Sequence, residues 1–81
     1  MSDAVFRFYA RDWTPVRDWL AEKGQAVVRQ QAHQVHGGQA WQATVVLGDE
    51  TTATAFRAWL EGRDDVSFAS PFDLFDRRRE R

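Results

Sequence analysis

Cysteine, isoleucine and asparagine are absent from this 81-residue chain. Without cysteine there is no disulfide framework, no thiolate zinc site and no cysteine nucleophile. Lysine occurs once, at Lys23, against ten arginines. A GC-rich coding sequence produces that bias, so the arginine count alone says little about phosphate binding. No apolar run approaches the roughly 20 residues of a membrane helix. The first residues, MSDAVFRFYAR, lack the apolar core of a signal peptide. A cytoplasmic protein is the expectation. What the chain does have is apolar and aromatic content, 43% and 14%. Four Trp and six Phe, each able to bury about 150–250 Å², suffice for one core and argue against disorder. A chain of this length forms one domain of modest stability.

Charge is unevenly placed. The net value is −1, but the last five residues carry four Arg and one Glu, leaving the first 76 at −4. A mildly acidic body is not the basic face that general nucleic-acid binding requires. The domain is placed at 1–76 and the Arg-rich tail, 77–81, is expected to fray.

An internal repeat organises the chain. Val16-Arg17-Asp18-Trp19-Leu20 matches Phe56-Arg57-Ala58-Trp59-Leu60 at an offset of 40 residues. In each copy the first, fourth and fifth residues fall on one helical face. Thr14 and Pro15 suit the start of the first helix and Gly24 its end, while residues 49–52 and Gly62 do the same for the second. Alternation over 5–11, the cap-poor stretch 26–36 with 39–47 on either side of Gly37-Gly38, and Val66 with Phe68 predict four strands. Gly37-Gly38 predicts a two-residue hairpin turn, which pairs residues whose numbers sum to 75. The order β-α-β-β-α-β in two similar halves predicts a ferredoxin-like α+β fold, with two helices on one face of a four-stranded antiparallel sheet. Phe6, Phe8, Trp41, Val45, Phe68 and the helix faces are the expected core, with Trp19 and Trp59 mostly buried. The first hairpin strand should lie at a sheet edge, where Gln30 and Gln34 are tolerated; a competing register or a bulge near Gln30 is the alternative.

The segment Arg11-Asp12-Trp13-Thr14-Pro15-Val16 resembles the strand-to-helix turn of amino-acid-sensing ACT domains, although it lacks their Gly after Pro15. The resemblance is confined to that segment and implies no ligand. Copper chaperones of this fold type need a cysteine pair, and acylphosphatases need a catalytic Asn; this chain has neither. His33 and His36, three apart on a strand, point to opposite faces and have no third ligand nearby, so no metal site is expected. Asp49-Glu50 and Asp64-Asp65 read as helix-end carboxylates rather than as an acid–base pair. No enzyme and no cofactor are expected.

The second sheet face is the candidate binding surface. It would present Arg7, Tyr9, Arg11, Arg29, Gln31, Gln42 and Thr44, with Val5 and Val46 as a small apolar centre. Arg and Tyr on a flat face suit protein–protein contact. The expected function is a non-enzymatic binding module: an adaptor, an assembly subunit, or an inhibitor of the phage or mobile-element type. Its partner would be another protein or a second copy of itself, in a homodimer. Single-stranded nucleic acid is the alternative occupant, but it would have only Tyr9 to stack on. Phe72, Leu74 and Phe75 form a second candidate, a docking segment or a cover for the core.

Overall fold

In the computed structural model, which describes residues 3–76 apart from the side chains of 75 and 76, both copies of the repeat are helices set between strands. The elements are β1 (Ala4–Ala10), α1 (Thr14–Ala21), β2 (Val27–Val35), β3 (Ala40–Leu47), α2 (Glu50–Glu61), β4 (Val66–Ser67) and α3 (Pro71–Asp76). The strands form one antiparallel sheet in the order β2-β3-β1-β4. Among the described residues this is an α+β fold of four antiparallel strands and three helices.

Local chemistry sets the helix ends. The Asp49 carboxylate accepts the Thr52 N–H at 2.9 Å and the Thr52 hydroxyl at 2.6 Å, satisfying a donor that the first turn of α2 leaves open. At α1, Asp12 accepts the Thr14 N–H at 3.1 Å, and Pro15 occupies the first turn, where no N–H is needed. Gly24 lies beyond the end of α1 with φ +53°. Gly62 ends α2 as expected, at φ −86°.

The β2–β3 register follows the sum of 75 from Val35↔Ala40 to Arg29↔Val46, and then a bulge leaves Val28 out and pairs Val27 with Leu47. The turn is longer than the expected two residues. Residues 36–39 make it, with His36 itself at φ +57° beside Gly37 and Gly38. β2 is an edge strand, and Gln30 and Gln34 are exposed there.

One sheet face carries the main core. Phe8, Ala10, Ala43, Val45 and Leu47 meet Val16 and Leu20 of α1, Ala53, Phe56 and Leu60 of α2, and Val66 of β4. Phe56 is the hub. Its ring contacts Phe6 edge-on at 5.1 Å, Phe8 at 5.9 Å and Trp19 at 5.1 Å. Trp19 and Trp59, expected to be mostly buried, are half-buried. They stack on each other at 5.6 Å, and their outer faces are covered by Lys23 at 4.6 Å and Arg63 at 4.8 Å. Each cation stands four residues after its Trp, so the repeat extends to this pair; such contacts contribute about 0.5–1 kcal/mol each at exposed sites. Trp41 is half-buried outside the main core, and Phe68 is 47% exposed because β4 ends at Ser67.

The other sheet face is partly covered, which the two-helix expectation did not include. Ser70 accepts the Phe72 N–H at 3.0 Å and Pro71 takes the first helical position, so α3 starts there. Leu74 is fully buried, yet it stands apart from the main core. Ala40, which the β3 alternation turns to this same face, is fully buried as well. Ser67 ties β4 to α3. It accepts the Ala69 and Ser70 N–H groups and sends its hydroxyl toward Asp73 at 3.4 Å.

Candidate functional site

The outer sheet face is built from four cross-strand rows, of which Val35 and Ala40, nearest the hairpin turn, form the last and the other three carry the polar candidates. Arg29, Val46 and Val5 form the first, and Gln31, Thr44 and Arg7 the second. His33, Gln42 and Tyr9, with Ser67 at the end, form the third. The strands alternate, so these side chains share a face because their positions share parity. The first two rows lie beyond α3. Arg7, Arg29 and Gln31 are exposed, Val5 is 56% exposed, and Thr44 and Val46 are half-buried.

The third row is more enclosed. Tyr9 is half-buried, and its hydroxyl accepts from the Gln42 amide at a long 3.4 Å. Arg11, which falls on the same face, is drawn under α3, where its guanidinium donates to the Leu74 carbonyl at 2.8 Å. The structure thus brings Arg7, Arg29, Gln31, Thr44 and the two valines together, keeps Tyr9 and Gln42 at their border, and uses Arg11 as an anchor for a helix. Of the C-terminal candidates, Leu74 is buried, while Phe72 is 58% exposed and meets the His36 ring edge-on at 4.6 Å. The Phe75 side chain and residues 77–81 lie outside the described residues.

Ser67, Asp73 and the Arg11 anchor were missed by sequence reasoning. The signal was present: Ser70 followed by Pro71 is a helix start, and it would have placed α3. Nothing local to the sequence says which side of the sheet such a helix takes.

Electrostatics sharpen the picture. None of the four strands contains an Asp or Glu. The acidic residues of the body sit in loops and helices, so the uncovered rows present Arg7 and Arg29 without a neighbouring strand carboxylate. Elsewhere charges are matched. Arg63 donates to both Asp65 oxygens at 2.8 and 3.0 Å, and these bonds push its pKa up, with burial pulling the other way. The two hydrogen bonds from Thr52 hold the Asp49 carboxyl below its ordinary value. Among the described residues no three His, Asp or Glu side chains gather at metal-binding distance, and no helix is long and apolar enough to cross a membrane. Comparison with protein-family models, curated proteins and solved structures finds no match to this chain.

Proposed function

We propose that the chain is a non-enzymatic binding module of the split-βαβ, ferredoxin-like type that docks another protein on the uncovered part of its outer sheet face. Read from the β4 edge, the strand order is 4-1-3-2 with every neighbour antiparallel, which supports that fold type. The observation that carries the functional reading is the carboxylate-free pair of rows, Arg29-Val46-Val5 and Gln31-Thr44-Arg7, left exposed beside α3. Two arginines flank a small apolar centre on a rigid sheet, a composition that suits an interface with an acidic protein surface. Adaptor, assembly subunit and inhibitor all fit such a module. A nucleic-acid reading has less support, since Tyr9, the one Phe, Tyr or Trp that the described strands turn to this face, is half-buried at the border of the patch.

A photo-crosslinking residue at Gln31 tests this, with the same residue at Thr51 on α2 as the control. In lysate of the source organism, capture of one protein from position 31 alone, resistant to nuclease and lost in Arg29→Glu, is the expected result. Equal capture from both positions, or capture that nuclease abolishes, refutes it.

A further inference from the structure

β1 is paired unequally on its two sides. β3 covers it from Ala4 to Ala10, but β4 reaches only Tyr9 and Ala10. On the β4 side the Arg11 N–H donates to the Asp65 carbonyl at 3.0 Å. Peptide groups alternate sides along a strand, so Tyr9, Arg7 and Val5 turn theirs the same way. Among the described residues no hydrogen bond meets the Val5 or Arg7 peptide groups there. The result is a vacant strand position. It is bounded by Phe68, whose ring stands 6.3 Å from that of Phe8, and lined by a groove of about 480 Å³ between Ala4, Val5, Phe6, Arg7 and Arg57. The opposite edge, β2, is also unpaired outward, but it is polar on both faces and bulged at Val28, the features by which natural sheets blunt an edge. The β1 edge has neither protection.

We propose that two copies of the chain pair antiparallel along this edge, with the two-fold axis at Val5. In that register Val5 faces the partner's Val5, Arg7 faces the partner's Asp3, and Asp3 faces the partner's Arg7. Asp3 is exposed and directly precedes β1, beside Gly48, so pairing that extends the strand by one residue would bring it into the ladder. These pairs join residues whose peptide groups point at the edge, so the register is hydrogen-bonded as well as charge-matched. On the inner side Phe6 comes opposite the partner's Ala4, a large residue against a small one.

Other registers are worse. An axis at Phe6 drives the partner's Ala4 against Phe8, where Phe68 already stands. An axis at Arg7 sets two guanidiniums opposite each other. Arg57 in the groove wall is held by Glu61 at 3.1 Å and adds no uncompensated like charge. The self-complementarity of residues 3–7 in charge and length is what selects a second copy over a foreign strand. The dimer would carry one continuous eight-stranded sheet and two outer faces. The proposal rests on the edge, and does not depend on the outer-face reading.

Sedimentation equilibrium over about 1–300 µM tests it, because a reversible dimer must appear with concentration. The parent should dimerise, with exchange of the Val5 and Arg7 amides slowing as the dimer fills. Val5→Pro removes an N–H that bonds nothing among the described residues, and should weaken association at least tenfold. Arg7→Asp sets like charges together twice per dimer and should do the same. Asp3→Arg combined with Arg7→Asp restores both pairs and should return association to within about threefold of the parent, a coupling that only this register produces. A protein monomeric throughout the range overturns the proposal. So does a dimer indifferent to these variants, or a double variant that fails to recover. A monomer whose edge amides are protected only by an added unrelated peptide gives the edge to a foreign strand and overturns it too. Cross-linking from position 31 reads the outer face independently.

Discussion

Truncating Phe56 to alanine should come close to unfolding the protein. The ring is fully buried and touches Phe6, Phe8, Trp19 and Trp59, members of both the sheet and the helix layer. Removing a buried Phe costs about 3–5 kcal/mol from lost transfer energy and the cavity left behind. The upper half of that range applies, because the neighbours are rings on rigid elements and cannot collapse into the space. At about 0.05–0.15 kcal/mol per residue, an 81-residue domain has about 4–12 kcal/mol in total. Phe56→Ala therefore removes a third or more of the stability, and Phe56→Leu, which keeps most of the volume, should cost about 1–2 kcal/mol. Urea unfolding followed by Trp fluorescence gives both values. Circular dichroism supplies an independent check, since Trp19 and Trp59 stack within 5.6 Å and should give an exciton couplet that weakens in Phe56→Ala. A loss below about 1 kcal/mol with the couplet intact would refute the hub assignment.

Two further perturbations probe the edges of the fold. Leu74→Ala should cost about 2–3 kcal/mol, the low end for a buried Leu because α3 can undock by itself, and hydrogen exchange should show lost protection at Ala69 and Ser70, whose N–H groups bond Ser67, before the main core responds. For α2, the depressed Asp49 pKa means its contribution is present above the unfolded carboxyl value and is lost as pH falls through the lower folded value. Asp49→Ala should lower the melting temperature at neutral pH and narrow its difference from the parent under strongly acidic conditions, whereas a constant difference would show that the cap is not the cause.

The sequence carried the inner half of this molecule and little of the outer half. Alternation in residues 39–47 and the Gly37-Gly38 turn were enough to set the β2–β3 pairing through Arg29, because burial on one face penalises any slip by exposing every apolar side chain. A bulge near Gln30 was legible as an alternative but its place at Val28 was not, since Val27 and Val28 are equally apolar and only the Gly48 N–H bonding to the Ala26 carbonyl at 2.9 Å shows how the chain end is drawn in. Phe68 was misplaced for a related reason. Two-residue β4 stops before it, and no local pattern records the length of a strand whose partner is elsewhere. Among the candidate site residues, parity placed Arg7, Tyr9, Arg29, Gln31, Gln42 and Thr44 on one face. It could not show that Arg11, of the same parity, would be claimed by the Leu74 carbonyl.

The two halves of the chain differ most where binding is proposed. Their helices are near copies down to the Trp–cation pairs, and that likeness is what a shared structural duty in the main core requires. The strands that follow the helices are unlike: β2 has nine residues and β4 has two. A full-length β4 would have paired Val5 and Arg7 and closed the edge of β1. Instead the chain turns at Ser67, and α3 crosses to the outer face, where Ala40 is buried and Arg11 is drawn in, while the first two rows stay bare. One shortening therefore produces both surfaces, the vacant edge and the bounded patch of Arg7 and Arg29. They share β1 through Arg7, so occupancy of one should be felt at the other. A copy added at the edge sets the partner's Asp3 beside Arg7 and redirects that guanidinium, which leaves Arg29 as the free cation of the patch. Outer-face binding measured below and above the dimer transition should then differ in its dependence on Arg7 and not on Arg29. Identical dependence on Arg7 in both regimes would show that edge and face act separately.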